Sequence, residues 1–323
     1  MKTYDITIVG AGPVGLYAAF YAGMRGLSVH IIEAFDQVGG QPRSLYPEKH
    51  IYDIATHPAI TGEALAKNLL KQLERVDYDL SLSTRIDDIS KNGDVFELSS
   101  AERLFKSRSV LLTTGAGRIV PRPAGIEGEE DWKTAGKLHY FVPSLEAYRG
   151  QKLAILGGGD SAVDWALMLE GIASEVHLIH RRPDFRAHEH SVQALEKSSV
   201  FIHTPFKAVQ LDKSLEIKEV KGDREEVLEI DQVLVNFGFL TQPQELAKGL
   251  EVNRNGHIPV DRQMKTNIDG LYVAGDVADY EGKVPLISVG FGEAVLAINS
   301  IQQKVSFDHA FKKGHSSSLF DGD

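Results

Sequence analysis

The chain has 323 residues, a length that corresponds to about two domains at roughly 100–200 residues each. Its hydrophobic fraction of 42% is enough to build cores, and its formal charge of −10 argues against nucleic acid as a partner, because phosphate backbones are bound by basic surfaces. The absence of cysteine excludes disulfide scaffolds, thiolate metal sites, iron–sulfur ligation, cysteine nucleophiles and dithiol redox chemistry. Any chemistry of this protein must therefore use other groups or a bound cofactor.

The apolar N-terminal region lacks the pattern of a targeting or membrane segment. Asp5 stands where a signal peptide is basic, and Gly10, Gly12, Pro13 and Gly15 interrupt the apolar run. No uninterrupted apolar stretch reaches the length of about 18 residues that a membrane helix needs. We expect a soluble, cytoplasmic protein with no membrane partner.

Buried strands and helices alternate along the first third of the chain. The patterns predict a strand at 6–9, a glycine turn at 10–15, a helix at 16–25, a strand at 29–32, a helix at 62–76, alternating stretches near 80–86 and 95–98, and a strand at 110–113. A crossing point between domains is predicted at 121–125, where two prolines and a glycine stand. The acidic run 127–131 is expected to be a solvated loop.

The order strand, glycine turn, helix, strand recurs 147 residues after its first copy. The second copy comprises a strand at 153–156, glycines at 157–159, a helix at 161–170 and a strand at 176–179. Strands at 233–236 and 271–274 and a helix at 290–304 complete the pattern. We predict one domain from residues 1–117 with 245–323, and another from residues 118–244.

The first glycine turn, Gly10 to Gly15, fits the pattern G-x-G-x-x-G after a strand and before a helix. Gly10 permits the tight turn, Gly12 lets a pyrophosphate approach the backbone, and Gly15 lets the helix pack on the strand. Glu33 ends the next strand, 23 residues after Gly10, where a carboxylate accepts hydrogen bonds from a ribose diol. These residues and Pro13 are candidate contacts for an adenosine dinucleotide without a 2′-phosphate.

The second turn runs from Gly157 to Ala162, with alanine at the place of the third glycine. His180 lies 23 residues after Gly157, at the place of Glu33 in the first copy, and arginines follow it. Guanidinium groups pair with a 2′-phosphate, which a carboxylate would repel. The candidate contacts for NADP(H) are therefore Gly157, Gly159, Asp160, Ser161, Ala162, His180, Arg181, Arg182 and Arg186. Two dinucleotide sites in one chain are most simply explained by FAD and NADPH.

The sequence resembles the low-molecular-weight thioredoxin reductases along almost the whole chain. Residues 113–116 and Gly275-Asp276 are similar to that family's other FAD signatures, and 180–187 is similar to its NADPH signature. The resemblance implies an α/β fold of two Rossmann-like dinucleotide-binding domains, each a three-layer ββα sandwich. Thioredoxin reductases carry a C-x-x-C dithiol before the second glycine turn, whereas residues 137–142 here read Lys-Leu-His-Tyr-Phe-Val.

A sister family, the thioredoxin-reductase-like ferredoxin/flavodoxin–NADP⁺ reductases, lacks that dithiol. The resemblance to it is carried by residues 39–41, 45–49, 156–165, 185–191, 280–283 and the tail 315–320. It implies a homodimer in which Tyr46 covers one face of the flavin and His315 of the partner subunit covers the other. The further FAD contacts that it implies are Gln41, Ile86, Ile119, Asp276 and Ser317, and Ile119 departs from the aromatic or methionine usual in the family.

The activity that this resemblance implies is hydride transfer between NADPH and FAD, with one-electron transfer to or from ferredoxin or flavodoxin. Two alternatives stay open: an NADPH-dependent flavin oxidase or diaphorase acting on quinones or oxygen, and a non-catalytic nucleotide sensor. No metal site is expected, because His188 and His190 are two residues apart and face different sides of a helix. Because ferredoxins are usually acidic, we predict a local basic face from Arg25, Arg43, Lys49, Lys312 and Lys313.

Overall fold

The computed structural model describes residues 2–115, 117–142, 144–242 and 246–305. The chain divides into two compact units, Met1–Ile119 with Thr241–Asp323, and Val120–Leu240. The predicted tail contacts His315 and Ser317 lie outside the described residues, as do Lys312 and Lys313.

The first unit is built from short strands and from helices that follow them. In chain order its first segment contains β1 (Thr3–Tyr4), β2 (Ile6–Val9), α1 (Pro13–Met24), β3 (Val29–Ile32), α2 (Gly40–Leu45), β4 (His50–Ile51), β5 (Ile60–Thr61), α3 (Gly62–Leu73), β6 (Asp79–Ser81), β7 (Asp88–Asn92), β8 (Val95–Ser99), β9 (Leu104–Ser107) and β10 (Val110–Leu112).

The chain crosses into the second unit within β11 and leaves it within β20. The elements here are β11 (Arg118–Pro121), α4 (Glu129–Thr134), β12 (Leu138–His139), a 3₁₀ turn (Leu145–Tyr148), β13 (Lys152–Leu156), α5 (Asp160–Leu169), β14 (Glu175–Ile179), α6 (Glu189–Glu196), β15 (Phe201–His203), β16 (Phe206–Leu211), β17 (Leu215–Glu219), β18 (Glu225–Leu228), β19 (Gln232–Val235) and β20 (Phe239–Gln242). The chain then returns to the first unit with β21 (Ile258–Pro259), β22 (Leu271–Val273), β23 (Ala278–Asp279) and α7 (Ile287–Val305).

The centre of the first unit is a parallel sheet with strand order β22–β10–β2–β3–β6. Alternate residues of its strands enter different cores. Ile8 and Leu111 pack with α1, α3 and α7 on one face, whereas Val9 and Leu112 pack on the other face against the sheet β1–β9–β8–β7. Burial on both faces explains why these strands are mostly apolar rather than alternating.

The second unit repeats this plan. Its parallel sheet has the order β12–β19–β13–β14–β15, and the antiparallel meander β16–β17–β18 covers one face. Leu156 and Val233 from the parallel sheet share a buried cluster with Ile217 from the meander. Helix α5 packs on β13 and β14. Each unit therefore has the layers sheet, sheet and helix, which confirms the predicted fold class.

Several element bounds differ from the sequence-based expectation. The first helix begins at Pro13 rather than at 16, since proline is compatible with the first helical turn. The helix predicted to reach 76 ends at Leu73. The alternating stretch at 80–86 is extended only to Ser81, because Ser83 has a φ of +48°, which no β-strand residue adopts.

The acidic run 127–131 is exposed at Glu127, Glu130 and Asp131, as expected, but the expectation of a solvated loop was wrong for Glu129. Glu129 is the first residue of α4 and is buried. Its carboxylate accepts the backbone N–H groups of Ala124 and Gly125 at 3.0 and 2.7 Å and the hydroxyl of Tyr140. Burial alone would raise the pKa of Glu129, but these donors hold it below its usual value.

No helix within the described ranges is long and apolar enough to cross a membrane.

Candidate functional site

The first glycine turn connects β2 to α1 and has no space for side chains at two positions. Gly10 has a φ of +107°, and a Cβ there would lie 2.5 Å from the carbonyl oxygen of Thr113. A Cβ on Gly15 would lie 2.0 Å from the carbonyl oxygen of Gly10. The turn is therefore as tight, and the helix as close to the strand, as the motif requires.

The outer side of this turn is open. Gly12 is the N-cap of α1, with no side chain capping the helix, and the nearest atom to a Cβ there would be Cα of Gly40 at 3.8 Å. Pro13 follows as the first helical residue. The N–H of Gly39 binds the carbonyl oxygen of Ala11 at 2.8 Å, which fixes the start of α2 beside the turn. Space and uncapped helix N–H groups together fit a phosphate.

Glu33 follows β3 and is buried beside the turn. Its Oε2 accepts the N–H of Ala11 at 2.7 Å, and its Oε1 accepts the N–H of Phe35 at 3.0 Å. A carboxylate has about four acceptor positions, so two remain for hydroxyl donors. Two hydrogen bonds to the backbone therefore hold the carboxylate in place at the strand end.

Two further predicted contacts of the first unit lie near each other. Tyr46, which follows α2, is affected by the charge of Asp276, which follows β22. Burial, together with the smaller effect of the carboxylates of Asp276 and Asp53, raises the pKa of Tyr46 to about 12. The phenol is thus held in its neutral form.

The remaining predicted contacts of this unit differ in position. The side-chain nitrogen of Gln41 would lie 3.4 Å from a Cβ on Gly115, so α2 approaches the turn after β10. Ile86 is buried in the core with Val9 and Ile32. The side chain of Ile119 lies outside what the structure describes.

A buried polar network that the sequence analysis missed supports the loop at Gly275. Glu293 on α7 accepts hydrogen bonds from the N–H of Gly275 at 2.7 Å, from the hydroxyl of Tyr280 at 2.6 Å and from the ammonium of Lys283. Lys283 also donates to the carbonyl oxygen of Gly275 at 3.0 Å. The signal in the sequence was a carboxylate next to Ala294 on the apolar face of a helix.

The second glycine turn connects β13 to α5 and differs from the first in detail. A Cβ on Gly157 would lie 2.7 Å from the carbonyl oxygen of Asn236 and 2.8 Å from Cβ of Ala162. A Cβ on Gly158 would overlap the ring of His180. Gly159, the uncapped N-cap of α5, has nothing within 4 Å of that position. As at Gly12, the open position is the helix N-cap.

His180 follows β14, and its ring is buried against the second turn. The ring stacks on Phe185 at 5.4 Å, and its Nε2 has no hydrogen-bond partner among the residues described. Burial lowers the pKa of His180, and three arginines lower it further, although a backbone hydrogen bond with Asp184 raises it. Those arginines are Arg182, Arg181 and Arg186. The imidazole is therefore neutral at pH 7.

The three arginines are exposed, and no carboxylate in the described part of the chain pairs with them. The loop that carries them is fixed at two points. The N–H of Arg186 binds the carbonyl oxygen of Gly158 at 2.7 Å, and the N–H of His188 binds Oδ1 of Asp160 at 2.8 Å. Asp160 thus positions the basic loop, and Ser161 is exposed beside it.

One charge of the predicted basic face, that of Arg43, is neutralised by a carboxylate. Arg43 pairs with Glu63 at 2.8 Å, and Arg25 donates to the hydroxyl of Tyr21 and to Asn299. The docking face therefore stays a prediction. Across the described ranges, no place brings together three or more side chains that could hold a metal ion.

The fold and the two open glycine turns define a protein with two dinucleotide-binding units. Residues 4–301 match the family model described as pyridine nucleotide-disulphide oxidoreductase, and the chain belongs to this family.

Curated relatives cover almost the whole chain and confirm the resemblance. The chain is 53% identical over 321 residues to the ferredoxin–NADP reductase of Lactococcus lactis subsp. cremoris SK11, and the alignment covers 99% of this chain and 100% of that one. It is 48% identical to ferredoxin–NADP reductase 2 of Bacillus subtilis 168, covering 99% and 98%.

Solved structures confirm the thioredoxin-reductase-like fold. The thioredoxin reductase of Lactococcus lactis superposes with a TM-score of 0.77 at 25% identity, covering 94% of this chain and 99% of the other. That of T. acidophilum has a TM-score of 0.77 at 22% identity, with the same coverage. This chain shares that fold but has no cysteine.

Proposed function

We propose that the protein is a ferredoxin–NADP reductase that uses FAD and NADP(H). A bound flavin supplies the exchange between two-electron chemistry with a nicotinamide and one-electron chemistry with a ferredoxin. The protein's own residues bind and orient the two nucleotides. No side chain needs to act as a general acid or base, and the chain offers no cysteine that could carry electrons.

FAD binding is assigned to the first unit. The open N-cap at Gly12 fits the pyrophosphate, and the fixed carboxylate of Glu33 fits the ribose diol of the adenosine. Tyr46 is neutral and lies close to Asp276. This proximity fits a tyrosine that covers the flavin ring and an aspartate that makes a polar contact with the flavin. Because Ile86 is buried in the core, any contact from it would come from its backbone.

NADP(H) binding is assigned to the second unit. The N-cap at Gly159 is open, and beside it the buried Nε2 of His180 has no hydrogen-bond partner among the described residues. Arg181 and Arg182 continue from His180 without carboxylate partners in the described residues, so their charges are available to a 2′-phosphate.

One contrast carries the assignment of two different nucleotides. The two repeats differ in the residue that follows their second strand. In the first unit it is the carboxylate Glu33, and in the second unit it is His180, which arginines follow. A carboxylate selects a free 2′-hydroxyl and guanidinium groups select a 2′-phosphate. Relatives at about half identity over the full chain that are named ferredoxin–NADP reductase support the electron partner.

Flavodoxin as a second partner, a cytoplasmic location and a homodimer in which His315 and Ser317 reach the neighbouring flavin belong to this proposal as well. The family resemblance supports them, and cross-linking through a cysteine introduced at 315 would test the dimer. The chain has no other cysteine, so a thiol-to-amine cross-linker is attached at 315, and links that form only within one chain would contradict that arrangement.

Anaerobic titration of the purified flavoprotein with NADPH tests the activity. We expect bleaching of the flavin by one equivalent of NADPH, and cytochrome c reduction that depends on added ferredoxin. A higher kcat/KM with free quinones or oxygen than with ferredoxin would indicate a diaphorase or oxidase instead. A protein that binds nucleotides without flavin bleaching would be a sensor.

A further inference from the structure

Four strands of the second unit's parallel sheet end side by side. Phe141, Asn236, Gly157 and His180 follow β12, β19, β13 and β14, and the strand registers continue to place them in one row. The N–H of Asn236 binds the carbonyl oxygen of Leu156 at 2.7 Å, which extends the pairing of β19 with β13. Neighbouring strands lie about 4.8 Å apart, so the row spans roughly 14 Å.

The charged side chains indicate which end of this row binds which half of NADP(H). The exposed arginines are at the His180 end, so the 2′-phosphate of NADP(H) belongs there. The open N-cap at Gly159 lies next along the row and fits the pyrophosphate. The chain runs from β13 to β14 and β15 on one side and returns to β19 on the other, so a dinucleotide spans this switch point. Its second half must therefore lie towards Asn236 and Phe141.

Asn236 offers an unused polar group at this position. Its Cβ would lie 3.1 Å from a Cβ on Gly157, so the side chain stands beside the glycine turn. Its Nδ2 is buried and has no hydrogen-bond partner among the residues described. A buried amide donor without a partner is unfavourable, and a ligand oxygen would satisfy it.

An aromatic pair lies beyond Asn236 in the row. The rings of Phe141 and Phe239 stack with centroids 5.6 Å apart and planes inclined by 6°. Phe239 is 39% exposed, although contact with water does not stabilise a phenyl ring. A flat apolar surface of this kind suits a planar heterocycle.

We propose that Asn236 and the Phe141–Phe239 pair form the subsite for the nicotinamide riboside half of NADP(H). The Nδ2 of Asn236 donates to an oxygen of that half, and the aromatic pair contacts its planar ring. This inference rests on the proposed function of the second unit and adds the residues that hold the end of the ligand without the 2′-phosphate.

Calorimetric titration of the flavoprotein with two ligands tests the proposal. NADP⁺ carries both halves, whereas adenosine 2′,5′-bisphosphate carries only the half with the 2′-phosphate. We expect Asn236→Ala to weaken NADP⁺ binding about fivefold through the lost hydrogen bond. We expect Phe141→Leu to weaken it about threefold to tenfold through the lost stacking. Both variants should bind the bisphosphate as the wild-type protein does.

Arg182→Ser is the matched control, because it should weaken binding of both ligands. Unchanged bisphosphate binding also reports that the glycine turn of each variant is folded. If Asn236→Ala and Phe141→Leu weaken both ligands equally, or neither, the subsite is overturned while the proposed function stands. If the wild-type protein binds neither ligand, the proposed function fails, and this inference fails with it.

Discussion

The ammonium of Lys283 and the carboxylate of Glu293 form an ion pair that is almost completely removed from water, with side chains 10% and 3% exposed. Burying two charges is costly, and the pair is tolerated because both groups have further partners. Glu293 accepts from Gly275 and Tyr280, and Lys283 donates to the carbonyl oxygen of Gly275. The ion pair therefore fixes the backbone immediately before Asp276.

Lys283→Met tests this role. The substitution leaves the carboxylate of Glu293 buried without its cationic partner, so we expect a loss of about 3–5 kcal/mol in the free energy of unfolding. Urea unfolding at pH 7 measures it. The loop at Asp276 should also loosen, and the variant should release FAD more readily on dilution.

Arg149→Met provides a control for the loss of a charge, because the Arg149–Glu146 pair is exposed on both sides. We expect no measurable change in its unfolding midpoint. A Lys283→Met protein as stable as the wild type would show that the buried pair does not hold the loop.

Glu33→Gln tests the first unit's ribose contact. An amide has one acceptor oxygen, so it cannot accept both the Ala11 and Phe35 N–H groups and also bind a diol with charge-assisted hydrogen bonds. We expect the dissociation constant for FAD to rise about 10- to 100-fold. Flavin fluorescence on dilution reports the release.

Glu74→Gln, at an exposed carboxylate after α3, should retain FAD like the wild type. Equal flavin release from both variants would mean that Glu33 supports the turn but does not contact the ribose.

The sequence predicted those parts of the fold that depend on local patterns. The strands Ile6–Val9 and Val29–Ile32 have the predicted bounds, because burial on both faces of a parallel sheet makes each strand mostly apolar, with one polar residue in each, Thr7 and His30. The glycine repeat also predicted where both turns would lie, since close neighbours leave no space for side chains there and Gly10 in addition has a positive φ.

The parts that could not be predicted depend on partners distant in sequence. From the sequence alone, Glu129 is predicted to be a solvated charge. In the structure its carboxylate accepts hydrogen bonds from Tyr140 and from the backbone at 124–125. Asp160 is predicted only as a ligand contact, and the structure adds a second role, because its carboxylate accepts the N–H of His188. Charged side chains are assigned to water or to ligands by default, and only tertiary contacts reveal the structural ones.

The double substitution Arg181→Ser and Arg182→Ser tests the nucleotide preference of the second unit. Removing two guanidinium groups from the 2′-phosphate should lower kcat/KM for NADPH about 100-fold. The value for NADH should not change, because NADH has no 2′-phosphate. Steady-state reduction of ferricyanide with each nucleotide measures both values.

Lys221→Ser removes an exposed cation elsewhere in the same unit. It should leave the ratio of kcat/KM for NADPH to kcat/KM for NADH unaltered. A double variant that loses activity with NADH and NADPH in equal measure would place the arginines in a structural role.

His30 gives the first unit a pH-dependent stability. It is buried in β3, its Nε2 lies 2.9 Å from the hydroxyl of Ser81, and its ring stacks on Tyr4 at 4.7 Å. Burial lowers the pKa of His30 from 6.5 to about 4. Below pH 6.5 the imidazole of His30 therefore binds a proton in the unfolded chain but stays neutral in the folded chain until the pH approaches 4. The corresponding stability is present above pH 6.5 and is lost as the pH falls towards 4.

His30→Phe should remove this dependence. The phenyl ring retains the stacking on Tyr4 and cannot be protonated, at the cost of the hydrogen bond to Ser81. Between pH 7.5 and pH 5 we expect the wild-type protein to lose about 2 kcal/mol more than the variant in urea unfolding. His177 and His180 also have lowered pKa values and contribute equally to both proteins, so the difference isolates His30. His190→Phe, at an exposed histidine, should follow the wild-type curve. If His30→Phe follows it too, the buried imidazole is not the group that titrates.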